Sequence, residues 1–219
     1  MLGKIFEQKL PLDEILMCST PEFPQMYQYI DEKIIPWLEK HGHQLTVIGN
    51  ARQTWNKWCY GTITRGKNKG RVRGFPPKLG MSWCTRELKV YEVDRYLRNI
   101  PHIRYLGIAV DEKKRIRDDP NIIYPLVEAQ MTEADCLQWI KDNDLYNPLY
   151  DYFSRLGCWL CPKQTKSSVF SLIENFPDLW QKLKEEEARV MALNPVIDLW
   201  NLYGTAYYED EYNKKVANE

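Results

Sequence analysis

IRYLGIAVDE, residues 103–112, sets eight mostly apolar and β-branched residues directly before two carboxylates. A run of that length and composition predicts a buried strand, with Asp111 and Glu112 at its carboxyl end. Residues 13–18 (DEILMC) and 44–48 (QLTVI) predict two earlier strands, and 122–126 (IIYPL) predicts one more. Between them lie helical patterns. Residues 22–41 place Met26, Ile30, Ile34 and Leu38 on one stripe, which Pro36 kinks or shortens. Residues 52–59 and 85–99 continue the alternation, and 132–143 opens with Thr132 and Asp135 at capping-box spacing.

Alternating strands and helices predict an α/β fold, a doubly wound and mostly parallel sheet covered on both faces. From residue 147 onward no strand signal remains, and helices are expected near 167–174 and 177–191. The expected organisation is an α/β domain over 1–146 and a helical, cysteine-containing appendage over 147–219. In open parallel sheets ligands sit beyond the carboxyl ends of the strands. Ser19 and Thr20 after the first strand, residues 50–52 after the second, and Asp111 and Glu112 after the third are therefore the expected crevice.

The 219 residues are 44% hydrophobic and 27% charged, which suits an ordinary water-soluble domain. No run approaches the roughly 20 apolar residues that cross a bilayer, and no charged-then-apolar leader is present. The expectation is a cytoplasmic protein with no membrane partner. Thirty basic and thirty acidic residues cancel, but they are segregated. From residue 40 to 86 there is no acidic side chain and there are ten basic ones. Such a stretch either concentrates an anion, including a nucleotide, a sulfate ester or a nucleic acid, or is a solvated basic loop. Residues 61–80 (GTITRGKNKGRVRGFPPKLG), at its centre, read as an irregular surface loop.

Six cysteines without a leader point to reduced thiols or metal ligands. Cys158 and Cys161, in GCWLCP, chelate a metal through one tight turn, form a redox pair, or are plain buried thiols. Cys84 precedes a predicted helix, where the helix dipole favours a thiolate. Together these three suit zinc or an iron–sulfur cluster, with Cys59 or an outside group as a fourth ligand. Cys18 and Cys136 read as core thiols. Arg86 and Lys89, a turn apart, either hold a phosphate or sulfate group or are solvated. Asp111, Glu112 and Arg115 either bind ribose, Mg²⁺ or a substrate cation, or form a salt-bridged turn.

Seven segments, taken in order, resemble one family: 13–27 (DEILMCSTPEFPQMY), 74–76 (GFP), 83–89 (WCTRELK), 105–116 (YLGIAVDEKKRI), 124–136 (YPLVEAQMTEADC), 157–162 (GCWLCP) and 175–182 (NFPDLWQK). They resemble the phosphoadenosine phosphosulfate (PAPS) reductase-like branch of the PP-loop ATP pyrophosphatase superfamily, the adenine nucleotide alpha hydrolase-like proteins, in its phage and mobile-element form. The resemblance implies an adenine-nucleotide-binding sheet and sulfur-transfer or substrate-adenylating chemistry with ATP or a PAPS-like nucleotide. It places Cys84, Cys158 and Cys161 on positions that look like iron–sulfur or zinc ligands. It places Arg86, Lys89, Asp111, Glu112 and Arg115 on the nucleotide side, and an anionic substrate is the implied partner.

Two departures accompany it. Ser19 replaces the family's usual acidic residue, and nothing resembles the SGGKDS loop whose amides cradle a pyrophosphate. The expectation is a shortened form with weak ATP binding. The alternative expectation is a catalytically inactive accessory module that uses residues 61–80 for nucleic acid or a partner. No cysteine follows Cys161, so PAPS reduction through a C-terminal cysteine is not expected.

Overall fold

The structure, a computed structural model, describes residues 1–80, 82–193 and 200–218. Its elements run in chain order as follows. Helix α1 (Leu2–Glu7) leads to strand β1 (Ile15–Cys18), then to α2 (Pro24–Tyr29), a π turn (Ile30–Ile34) and α3 (Ile35–Lys40). Next come β2 (Leu45–Ile48), α4 (Ala51–Cys59), α5 (Trp83–Thr85), a second π turn (Arg86–Val90) and α6 (Tyr91–Tyr96). Strand β3 (Arg104–Tyr105), a 3-10 turn (Val110–Arg115), β4 (Ile122–Ile123), α7 (Pro125–Glu128) and α8 (Glu133–Asp142) follow. The chain ends in α9 (Lys166–Asn175), α10 (Pro177–Leu193) and α11 (Thr205–Ala217).

This corrects the expected doubly wound sheet. Of the described residues 54% are helical, and the strands among them form two small two-stranded parallel sheets, β1 with β2 and β3 with β4. The run at 103–110 yields two strand residues. Arg104 and Tyr105 pair with Ile122 and Ile123, and Gly107 then approaches the Met1 side chain while Ile108 and Ala109 are buried. Pro125 ends β4 after two residues, because its ring fixes a helical φ and it occupies the first position of α7. An apolar run bounded by glycine or proline reports burial, and burial alone does not separate a strand from a short buried segment. Pro36 does not shorten the helix: the helical run continues through it to Lys40, with a π turn at Ile30–Ile34 just upstream.

The chain divides into two compact units, each discontinuous in sequence. The first comprises Met1–Met17, Gln28–Val47 and Asp94–Asn147; the second comprises Cys18–Tyr27, Ile48–Val93 and Pro148–Glu219. In the first unit Ile5, Leu38, Leu126 and Leu145 are buried. The Trp139 indole donates to Glu7 Oε1 at 2.7 Å, and its ring lies where a Cβ on Gly3 would stand, 2.2 Å away. Any larger residue at Gly3 displaces that ring. Helix α8 starts on a complete capping box, with Thr132 Oγ1 accepting from the Asp135 N–H and Asp135 Oδ2 accepting from the Thr132 N–H.

The second unit holds the main core. Leu172, Leu183, Val190 and Trp200 are fully or almost fully buried, and Phe23, Phe153 and Phe176 form a ring cluster with centroids 5.0–5.6 Å apart. Residues 61–80 are mostly exposed turns, bends and irregular backbone, as expected, with one exception. An antiparallel bridge joins Thr62 to Val72, so the glycine-rich segment closes as a narrow hairpin.

Glu187, on α10 and only 6% exposed, is the polar centre of this unit. Its Oε1 accepts from the Trp200 N–H at 2.9 Å, and its Oε2 accepts from the Thr205 N–H at 2.8 Å and the Thr205 hydroxyl at 2.6 Å. Between these donors Asn201, Leu202 and Gly204 all have positive φ. The first two are costly backbone states that persist only where the surroundings over-determine them. Glu187→Ala removes three acceptor contacts and strands two buried amides, so unfolding in urea should show a loss of about 3 kcal/mol. Glu187→Gln, which keeps one good acceptor, should lose less. Equal losses for the two variants would show that packing rather than hydrogen bonding carries the effect.

Candidate functional site

The same turn positions the cysteine motif. The Trp200 indole N–H donates to the Leu160 carbonyl at 3.0 Å, and Asn201 Nδ2 donates to the Gln164 carbonyl at 3.2 Å. Both acceptors belong to the loop carrying Cys158 and Cys161. Within that loop the Cys161 N–H donates to the Cys158 carbonyl at 3.1 Å, and Gln164 Nε2 donates to the Trp159 carbonyl at 2.9 Å. Leu160 and Pro162 point into the core, leaving both thiols half-buried. Two cysteines three residues apart are thus brought to one side of a tight turn by apolar anchoring of the residues beside them.

The thiols differ in acidity because they share a proton. The Cys158 thiol donates to Cys161, which pushes Cys158 well up from the ordinary range, with burial adding to the effect. The same bond lowers Cys161 to about 6, helped by the Lys163 backbone amide and the charges of Lys163 and Lys89. Cys84 belongs to this neighbourhood, since its charge bears on both Cys161 and Cys158. Its own thiol is pushed up by burial. Cys161 is therefore the most acidic thiol of the group, and Cys158 is its hydrogen-bond donor.

Around these sulfurs the second unit gathers polar groups of both signs. Glu22 bears on Cys158, and its Oε1 accepts from the Thr20 hydroxyl at 2.8 Å while its Oε2 is buried without a partner among the described residues. Trp83 immediately precedes Cys84, and its ring stands 5.3 Å from that of Trp55. Both indole N–H groups are buried and unpartnered among the described residues. Two free indole donors and the cations Lys89 and Lys163 suit an oxygen-rich anionic group more than an apolar one.

The remaining sequence-selected residues fall in separate places. Ser19 and Thr20 lie in the second unit, where Ser19 Oγ accepts from the Ala51 N–H at 3.3 Å and the Thr20 carbonyl accepts from the Tyr27 hydroxyl. Arg86, on the π turn, pairs with Glu87 at 3.3 Å, whereas Lys89 is exposed. Asp111, Glu112 and Arg115 lie in the first unit. Asp111 accepts from the Glu133 N–H at the start of α8, and Glu112 pairs with Arg115 across the 3-10 turn. They form a capped, salt-bridged turn lining an open surface depression. Cys59 is fully buried in the core and is pushed up to about 12 by burial; Cys18 and Cys136 are half-buried and also raised by burial.

Cys84, Cys158 and Cys161 supply soft donors, but among the described residues no group of three His, Cys, Asp or Glu side chains is arranged to hold a metal ion. In this arrangement the sulfurs make a hydrogen-bonded pair with a third thiol nearby. Sequence reading selected all three cysteines and Lys89. It missed Glu22, Lys163, the two indole donors and the Trp200 anchor, which have no spacing relation to the cysteines.

No protein-family model and no solved structure matches the chain. A curated protein of Methanocaldococcus jannaschii, described as uncharacterized, is 27% identical over 137 residues, covering 55% of this chain and 33% of that protein. The chain thus spans about a third of the length of the relative it matches. Among the described residues no helix is long and apolar enough to cross a membrane.

Alkylation reads the shared proton directly. Thiolate content at Cys161 rises as pH rises through about 6, so iodoacetamide labelling of the folded chain, followed by peptide mass spectrometry, should reach half its maximal rate near that pH. Unfolded protein should titrate near the ordinary value of about 8.5. In Cys158→Ala the Cys161 midpoint should move up toward that value; an unchanged midpoint excludes the shared proton as the cause.

Proposed function

We infer that the chain handles sulfur carried on, or activated by, an adenine nucleotide, as its resemblance to PAPS reductase-like proteins implies. The supporting observation is the gathering of Cys84, Cys158 and Cys161 with Lys89 and Lys163 in one unit. In this reading Cys161 is the sulfur-carrying nucleophile. The Cys161 thiolate takes the outer sulfur of a donor persulfide, the donor leaving as its thiolate, and the resulting Cys161 persulfide attacks an adenylated acceptor carbon with its outer sulfur while adenylate leaves with the bonding pair. The acceptor is then held on Cys161 as a mixed disulfide. Attack by Cys158 on Cys161 Sγ releases the acceptor thiol and leaves a Cys158–Cys161 disulfide, which an external dithiol reduces.

Arg86 and Lys89 meet the anionic part of the nucleotide by charge in this reading and Ser19 by hydroxyl donation, with Thr20, whose own hydroxyl is given to Glu22, placing the segment beside them. Asp111, Glu112 and Arg115 already have structural partners in the other unit and take no part. A second reading, with the three thiols holding zinc or an iron–sulfur cluster, is favoured by the presence of Cys84 beside the pair. It requires the sulfurs to rearrange from the hydrogen-bonded arrangement.

One anaerobic preparation separates the two. In the sulfur-carrier reading the protein is colourless and free of stoichiometric zinc and iron. Adenosine phosphosulfate or ATP then slows Cys161 alkylation at least about tenfold at saturating nucleotide. Arg86→Gln with Lys89→Gln abolishes that protection. Stoichiometric metal supports the second reading, and full alkylation at millimolar nucleotide overturns the nucleotide assignment.

A further inference from the structure

The hairpin at residues 61–73 is closed by backbone hydrogen bonds yet carries charge that no ion pair answers among the described residues. Its strands are tied by Ile63 N–H to the Arg71 carbonyl at 2.8 Å, Gly70 N–H to the Ile63 carbonyl at 2.9 Å and Arg73 N–H to the Gly61 carbonyl at 2.9 Å. The tip is fastened by Lys69 N–H to the Gly66 carbonyl and Arg71 N–H to the Asn68 carbonyl, both at 3.1 Å. Gly66 and Gly70 supply the left-handed backbone there, with φ of 77° and 89°. At the base Arg73 lies over the Trp58 ring, 4.1 Å from its centroid, and its Nη1 donates to the Trp58 carbonyl at 3.5 Å. Arg65, Lys67, Lys69 and Arg71 are exposed, and none of the four has an ion pair among the described residues. Four like charges on one short ribbon repel one another, and a polyanion laid along it relieves that repulsion.

We propose that this hairpin is a duplex-DNA-binding ribbon whose four free cations neutralise backbone phosphates while its tip enters a groove. Three observations select that partner. A two-stranded ribbon has the width that the major groove of B-form DNA admits, whereas the deep, narrow major groove of A-form RNA does not. Residues 61–73 contain no aromatic side chain, so the ribbon lacks the stacking platform that single strands use. It also exposes no large hydrophobic residue, since Ile63 and Val72 are half-buried, so it lacks the apolar wedge of a membrane-surface element. Asn68 and the flanking cations occupy the tip, where side chains reach base edges. The assignment is independent of the thiol chemistry.

The test is fluorescence anisotropy of the whole chain with a labelled mixed-sequence DNA duplex, its single strand, the matching RNA duplex and anionic vesicles. The duplex should bind best, and its affinity should fall about 50-fold between about 50 and about 150 mM salt, as expected when four phosphates are neutralised. The variant with Arg65, Lys67, Lys69 and Arg71 all changed to Gln should lose at least about 20-fold in affinity and most of the salt slope. A control with Lys40, Arg98, Lys113 and Lys182 changed to Gln removes equal charge elsewhere and should change affinity less than about threefold. Should the fourfold variant fail to fold, Lys67→Gln and Lys69→Gln singly should each weaken duplex binding about threefold. Tighter binding to single strands, RNA or vesicles, equal loss in the control, or no duplex binding each overturns the proposal.

Discussion

The second unit depends on one buried carboxylate. Glu187 takes three donors from the turn between α10 and α11, and that turn bends through backbone states an ordinary residue avoids. Because Trp200 is held there with no exposed surface, its indole reaches Leu160, and Asn201 reaches Gln164. The cysteine loop is therefore supported from beneath by a turn about forty residues away. Glu187 is tolerated in the core because both its oxygens accept hydrogen bonds, the condition under which a buried polar group is kept.

Charge in this unit is used in two ways. Around Cys161 it is compensated at short range: the Cys158 thiol, the Lys163 amide and two lysines stabilise a thiolate, while the hydrogen bond to Cys161, then burial and Glu22, hold the proton on Cys158. On the hairpin it is left uncompensated and displayed to solvent, with only Arg73 anchored, by Trp58. Low-dielectric surroundings make the first arrangement strong and local, whereas the second acts at a distance and is screened by salt.

Local signals in the sequence were realised where they involve neighbours a few residues apart. The Thr132–Asp135 capping box and helices α9 and α10 depend on side-chain-to-backbone contacts or on a stripe along one element. The strand reading of 103–110 failed because burial of Ile108 and Ala109 is satisfied without a ladder. Residues 61–80 are the mostly irregular surface segment their composition predicts; only the bridge that closes 61–73 left no period to read, although two glycines at positive φ are what a closed tip requires.

By itself the sequence determined which residues can do chemistry: soft cysteine donors, an acid-free basic stretch and two carboxylates before an arginine. Those properties belong to side-chain type and short spacing. Only the tertiary structure decided their use. It paired Asp111, Glu112 and Arg115 into a capped turn, brought Cys84 to Cys158 and Cys161, and closed the basic stretch into a ribbon. The reason is physical: proton sharing, burial and charge compensation depend on distances between residues far apart in the chain, and spacing along the chain carries no record of them.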